Sequence, residues 1–462
     1  MSLLKGDQER LMASNKTYWK NIDQLNPDNE VVKKLEQNEF VSKLPEDFLT
    51  DEKTLEESST SRRDFLKYVG FSTAAATLAA CEGPVIKSVP YVVQPEQIRP
   101  GVANYYATTI ADGFDFGSVL IKTREGRPIK VESNSDAPTL GVANARVHAS
   151  VLSLYDTMRL QGPEANGEEV SWDNFYLQTG AMLKALAATN KEVVLMTPTL
   201  ASPTSQKIID DFISAFPNIK HVIYDAISSD DALNAYEKHY GVRGLADYDF
   251  SKAKALVAID ADFLGDWQGG GYAKGYATSK VPHKHHGKAA MLWHAQFESN
   301  MSLSGANADH RVPCTPGEQK NILAYIYDSL KGSSTASSLS PSLQEAADKA
   351  VSELKTAGPN GVIITGIEDE TAQLTVLAIN TILKSNAFQP ESPKLIRQGN
   401  SVTAQKAFDD IQSGAVKGLI TLGVNPIFTT ANGAALAEGI KQLEFSLAFT
   451  SKIDETAAAS QF

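Results

Sequence analysis

Cysteine is nearly missing from this sequence. Among 462 residues there are two, Cys81 and Cys314. An iron–sulfur cluster takes about four thiolates. A structural zinc site draws on about two to four Cys with His, and a disulfide framework needs several pairs. Cys81 and Cys314 alone can build none of these. A basic excess is missing as well: 43 Lys and Arg stand against 55 Asp and Glu, a net charge of −12. That balance argues against a nucleic-acid partner, which requires a clustered basic face. No uninterrupted apolar run reaches the roughly 18 residues of a membrane-spanning helix. What remains is globular in composition, 42% hydrophobic and 8% aromatic. At roughly 150 residues per domain the length fits two to four domains.

The first eighty residues read as a leader. Residues 1–60 are polar and charged, with short amphipathic stretches interrupted by Pro27 and Pro45. Then comes Ser61-Arg62-Arg63-Asp64-Phe65-Leu66, followed by an uncharged, Ala-rich run from Tyr68 that closes on Leu78-Ala79-Ala80-Cys81. Arg62 and Arg63 before a short, weakly apolar core read as a twin-arginine export signal, placed unusually late. Leu-Ala-Ala-Cys matches the bacterial lipobox, in which the cysteine thiol takes a diacylglycerol. Cys81 is therefore the expected lipid anchor and the expected first residue of the mature chain. The plain alternative is a buried cysteine beside an Ala-rich helix. Export and anchor together predict a place on the periplasmic face of the bacterial inner membrane.

The body of the chain alternates strand and helix. Residues 81–102 carry Pro84, Pro90, Pro95 and Pro100 and read as an extended arm. Residues 103–163 form a small β-rich unit, ending in a helix from Asn144 to Leu154. Beyond it, short apolar runs such as Val193–Thr197, Ala255–Ile259, Gly361–Thr365 and Leu419–Leu422 alternate with helical stretches. Further strands are expected at His221–Asp225, Ala290–His294, Lys394–Ile396 and Phe445–Phe449. The pattern predicts an α/β fold with Rossmann-like parallel sheets and helices on both faces. Two α/β halves, 164–335 and 336–462, are expected on either side of a Ser-rich link near Gly332–Pro341. The second half reads as unfinished at Phe462.

Several segments in order carry a resemblance. They are Asp260-Ala261-Asp262-Phe263-Leu264, then Ser304-Gly305-Ala306-Asn307-Ala308-Asp309 with Val312-Pro313 and Pro316-Gly317. Gly423-Val424-Asn425-Pro426 and the turn Gly126-Arg127-Pro128 complete the set. Over residues 103–460 the chain resembles the molybdopterin oxidoreductases. The Lys16-Thr17-Tyr18-Trp19-Lys20 opening, the delayed twin arginine and Cys81-Glu82-Gly83-Pro84-Val85 resemble, more narrowly, the B subunits of bacterial alternative complex III. The resemblance implies a quinol-oxidising membrane complex. Its partners would be integral membrane quinol-binding subunits, a multihaem cytochrome c subunit, and an iron–sulfur half of the same subunit. The clusters are expected in that half, beyond this segment. Gly423, Asn425 and Pro426 would correspond to the loop that meets the guanosine end of the cofactor.

The departures decide the expected role. The family places three cysteines ahead of the Gly-Arg-Pro turn and a fourth before an Asn-Ala-Arg-like helix. Here Thr108–Gly117 and Gly141–Arg146 have none, so that cluster cannot form. The expectation is a non-catalytic scaffold with no catalytic residue, no metal and no cofactor in this segment, and at most a vestigial pocket at Gly423, Asn425 and Pro426. Two other readings stay open: an active molybdopterin enzyme that has lost only this cluster, and a stand-alone periplasmic lipoprotein. His283, His285, His286 and His294 could bind metal, but flanking Lys280, Lys284 and Lys288 favour a solvated loop. Gly269-Gly270-Gly271 lacks the Lys-Ser/Thr of a phosphate loop. Asp260, Asp262 and Asp266 follow a strand and read as strand-end solvation or a pocket mouth. Cys314 reads as a loop thiol.

Overall fold

A computed structural model describes residues 98–99, 101–112, 115–137, 143–285, 288–333 and 338–462. Arg62, Arg63, Cys81 and the leader they belong to lie outside the described residues. All described residues fall in the unit Val93–Phe462.

The chain first builds a three-stranded antiparallel sheet in the order β1–β2–β3, from Asn104–Asp112, Asp115–Arg124 and Arg127–Ser133. Glu125 and Gly126 both have positive φ and turn β2 into β3. Helix α1, Ala145–Ala149, covers the sheet, and Asn144 caps it by accepting from the Val147 amide. A 3₁₀ turn, Ser150–Tyr155, continues the expected helix in a tighter form. Val119, Val131, Ala143 and Val147 make a small core of their own.

Next come α2 (Trp172–Ala188), β4 (Val193–Thr197), α3 (Pro203–Ala215) and β5 (Ile219–Ile223). Ser171 and Ser202 cap the two helices, and Pro203 sits in the first turn of α3, where its missing N–H costs nothing. Every residue of β4 is buried, as expected for a strand covered on both faces.

The chain then leaves this sheet. It forms α4 (Asp230–Tyr240), β6 (Leu245–Tyr248), β7 (Ala255–Ile259), α5 (Ala273–Lys280), β8 (Trp293–Glu298) and β9 (His310–Pro313). It goes on through α6 (Pro316–Lys331), α7 (Pro341–Ala357), β10 (Gly361–Thr365), α8 (Glu370–Leu383) and β11 (Phe388–Lys394). The strands order β9–β8–β7–β10, all parallel. β6 and β11 form a separate antiparallel pair. The outer edge of β10 is closed by Asn380 of α8. Its Nδ2 donates to the Ile363 carbonyl at 2.8 Å and its Oδ1 accepts from the Ile363 amide at 3.0 Å. A buried side-chain amide thus replaces a neighbouring strand.

Finally the chain returns through α9 (Ser401–Gln412), β12 (Gly418–Leu422), a helical turn at Pro426–Thr429, α10 (Gly433–Lys441), β13 (Phe445–Phe449) and α11 (Glu455–Ala459). β12 pairs in parallel with β4, giving the order β13–β12–β4–β5. The two sheets are therefore nested, not consecutive. The expected division into 164–335 and 336–462 does not follow the pairing. One module, about 230–396, is inserted into another made of 164–224 and 397–462. Periodicity identifies each strand but carries no information about which strands pair. The apolar cores follow the same partition. Two clusters use residues between Ala235 and Phe388, and two use Phe175–Val222 with Ala404–Leu447.

Two smaller expectations also shift. Lys394–Ile396 is not a strand of the main sheets; β11 ends at Lys394, and the register with β6 breaks between Gln389 and Lys394. Pro390 and Pro393 sit in that break, where no ladder N–H is needed. The expected strand at Ala290–His294 begins later, at Trp293. No helix among the described residues is long and apolar enough to cross a membrane.

The two crossings between modules are pinned together. Asp225 accepts from the Thr199 amide and hydroxyl at 2.8 and 2.6 Å and from the Gly399 amide at 3.0 Å. Arg243 donates to Asp230 at 3.1 Å and to the Gly399 carbonyl at 2.7 Å. A Cβ at position 399 would lie 2.8 Å from an Asp225 oxygen, so any larger residue there would push the Asp225 carboxylate off these bonds.

Candidate functional site

Ligands of open parallel sheets bind beyond the carboxyl ends of the strands. In the inserted module β7 ends at Ile259 and β10 at Thr365, and a cavity of about 500 Å³ opens beside these ends. Its lining includes Asp230, Asp231, Asp260, Asp262, Asp266 and Glu368, together with Trp267, Gln268 and Gln373. No Lys or Arg lines it.

Local geometry holds these groups. Asp260 takes a positive φ of 55° directly after β7, which turns the chain off the sheet. Gly366 approaches its backbone so closely that a Cβ would lie 2.0 Å from the Asp260 carbonyl. Asp262 accepts from the Ser304 amide at 2.9 Å and hydroxyl at 2.7 Å. Asp260 accepts from Gln319 at 3.1 Å. Trp267 is fixed by donation from Nε1 to the Thr365 carbonyl at 3.0 Å. Burial pushes the Asp231 carboxyl above the usual carboxylate range, and Asp369, Asp230 and Glu370 push it the same way. The cavity is thus a pre-formed, electronegative space.

The second expected site lies at the end of the other sheet. β12 stops at Leu422, Gly423 turns with φ 63°, and Asn425 begins the helical turn that Pro426 enters. Both ends of the Asn425 side-chain amide are bonded to its own chain. Nδ2 donates to Glu455 at 2.6 Å, and Oδ1 accepts from the Thr456 hydroxyl at 2.7 Å and from the Thr456 and Phe428 amides. The bond from Asn425 also holds the Glu455 carboxyl below the usual range. Thr456 is completely buried. None of Gly423, Asn425 or Pro426 lines the cavity.

Where the cluster cysteines are lacking, the chain has a polar clasp. Asp115 of β2 accepts from Arg146 Nε and Nη2, both at 2.8 Å, and from Asn144 Nδ2 at 2.5 Å. Burial alone pushes its carboxyl up, but the bonds from Arg146 and Asn144 win and hold it below the usual range. A second fork from Arg146 reaches Asp266 at the cavity rim, at 3.1 Å on each arm.

The histidine tract divides. His294 is fully buried on β8, with Nδ1 3.1 Å from the Tyr276 hydroxyl and Nε2 3.1 Å from Gln296. Burial brings its pKa down to about 4, so it is a neutral core residue. His283–His285 pairs with Lys288–Ala290 as a hairpin, and His286 lies outside the described residues. No group of three potential metal ligands occurs among the described residues. Cys314 is buried and unpaired, its thiol pushed up to about 12 chiefly by burial, which leaves it unreactive.

Sequence reasoning flagged Asp260, Asp262 and Asp266, and the structure brings all three to the cavity. It missed Asp230, Asp231 and Glu368, which arrive from α4 and the β10–α8 loop. Their only sequence signal was the acidic start of two helices.

The sequence resemblance implies a phosphate-bearing molybdopterin dinucleotide, and the side chains at the two strand ends are a poor match to its phosphates. Asp230 is paired with Arg243 and Asp266 with Arg146, but Asp231, Asp260, Asp262 and Glu368 also line the cavity and disfavour phosphate there. The polar side chain of the expected guanosine loop, Asn425, is bonded to α11.

No protein-family model matches the chain. It is 25% identical, over 451 residues and 86% of its length, to the menaquinone reductase, molybdopterin-binding-like subunit of Nitratidesulfovibrio vulgaris. The match spans 64% of that relative, less than two thirds of its length. Among solved structures it is similar to acetylene hydratase from Pelobacter acetylenicus, with a TM-score of 0.52 at 12% identity. That match covers 76% of this chain and 62% of the other. The fold is α/β and molybdopterin-oxidoreductase-like, as the sequence resemblance implies.

Proposed function

We propose that this chain is a non-catalytic, molybdopterin-like structural part of a membrane quinone–quinol oxidoreductase. The finer reading is the B subunit of an alternative complex III on the periplasmic face of the bacterial inner membrane. Quinol binding, iron–sulfur clusters and haems are then carried elsewhere in the complex, and the chain supports them. The observation that carries this reading is the cavity beyond β7 and β10, where open parallel sheets bind ligands: six carboxylates line it, and Asp230 and Asp266 alone among them are tied to arginines. The menaquinone reductase subunit is the support for the quinone class.

Metal and organic-cofactor analysis of the purified complex tests it. Molybdenum is expected at background level; a stoichiometric molybdenum content would overturn the proposal. Co-purification with haem-containing and integral membrane subunits is expected, and recovery of this chain alone would overturn the complex. The anchor is a separate proposal. Mass spectrometry of the mature N-terminus is expected to find a diacylglyceryl Cys81; a free thiol there refutes it.

A further inference from the structure

At Asp266 the cavity rim is joined to the small β unit by the side chain of Arg146. Asp266 begins a segment of unusual backbone: Gln268, Gly269, Gly270 and Gly271 all have positive φ, from 49° to 96°. Within it Trp267–Gly269 forms a single 3₁₀ turn, closed by the Gly269 and Gly270 amides donating to the Asp266 and Trp267 carbonyls at 2.9 and 3.0 Å, and opening the rim means undoing that one turn. Trp267 anchors its start through Thr365, and the Tyr272 hydroxyl donates to Gln268 at 2.9 Å. Trp267 also packs on Tyr248 and Tyr272, and the tie from Asp266 to the small β unit is Arg146.

Arg146 makes two forks of different character. Toward Asp115 the carboxylate is only 10% exposed, also receives Asn144, and feels the charge of Arg397. Toward Asp266 both partners are open, 52% and 61% exposed, and the contacts are longer. An exposed ion pair is screened by salt, whereas a buried, hydrogen-bonded one is screened far less. The two forks therefore break at different ionic strengths. The core of the small β unit takes its members from Ile110–Val151 alone, so it stays folded when the outer fork opens.

We propose that Arg146 is a strap: it ties the cavity rim, Asp266–Gly271, to the small β unit, and salt releases the rim while the β unit keeps Arg146. Asp115 and Asn144 are the fixed side and Asp266 the moving side. This inference is independent of the quinone reading.

Hydrogen–deuterium exchange on the full chain tests it, read peptide by peptide at low and high salt. Asp266→Asn is expected to speed exchange across 266–271 by about three- to fivefold at low salt, leaving β2 and β3 protected. High salt is expected to do the same to the wild type and to add little to the variant. Arg146→Lys, which keeps the charge but loses both forks, is expected to fall between them. The proposal is overturned if Asp266→Asn exchanges like the wild type at low salt, or if salt speeds the rim equally in both. It is overturned equally if β2 and β3 lose protection together with the rim, or if Arg146→Lys matches the wild type.

Discussion

The two parallel sheets end in opposite ways. Beyond the inserted sheet, between β7 and β10, the chain leaves an electronegative cavity. Beyond the outer sheet, at β12, it fills the space with its own helix α11, locked by Asn425. One topology thus gives an open end and a closed end. What separates them is side-chain chemistry in the first few residues past each strand. Here one end is lined by carboxylates and the other is filled by α11.

The largest effects should come from each sheet's own core. Phe297 in the inserted sheet and Phe445 in the outer sheet are both fully buried. Truncation to Ala should cost about 3–5 kcal/mol in either case. If the modules are distinct in energy as well as topology, scanning calorimetry will show Phe297→Ala lowering one transition and Phe445→Ala the other. A single transition lowered equally by both would erase the comparison.

Asn425→Ala comes next and probes the closed end. It removes the cap of the Pro426–Thr429 turn and leaves the buried Thr456 hydroxyl without its acceptor. A loss of about 2 kcal/mol is expected, measured by urea unfolding. Loss of a tenth of that would mean α11 closes the site without Asn425.

The smallest effect belongs to the open end. Asp231 has a folded-state pKa above its ordinary value of 3.8. A raised carboxylate favours the folded state at low pH, and that contribution is lost as pH rises through the folded value. Asp231→Asn should therefore stabilise the protein slightly at about pH 7 and make no difference at about pH 3. Asp115, held below its ordinary value, works in the other sense. Its contribution is present above 3.8 and lost as pH falls through the folded value. Thermal melts of Asp231→Asn and Asp115→Asn across this range should move in opposite directions at neutral pH.

The parts legible in the sequence were those set by neighbours in the chain. Runs such as Ala255–Ile259 and Gly361–Thr365 announced buried strands, and both are fully buried. The nesting was not legible, because Gly418–Leu422 would pair as well with any parallel strand of its length. Asp115 and Arg146 lie 31 residues apart and Arg146 and Asp266 lie 120 apart; no local pattern links them. Asn425 was singled out for the right loop but for a nucleotide, since its partners Glu455 and Thr456 come 30 residues later.

The nesting also fixes an order of events during synthesis. β4 and β5 are finished at Ile223, but their neighbour β12 begins only at Gly418. At a typical 5–20 residues per second, β4 waits about 10–40 s for its second neighbour. Meanwhile the whole inserted module emerges and can close on itself. β4 and β5 can pair with each other, but the other edge of β4 rides open on the nascent chain until β12 arrives, and a helper that shields Val193–Thr197 during that interval would protect it from wrong partners.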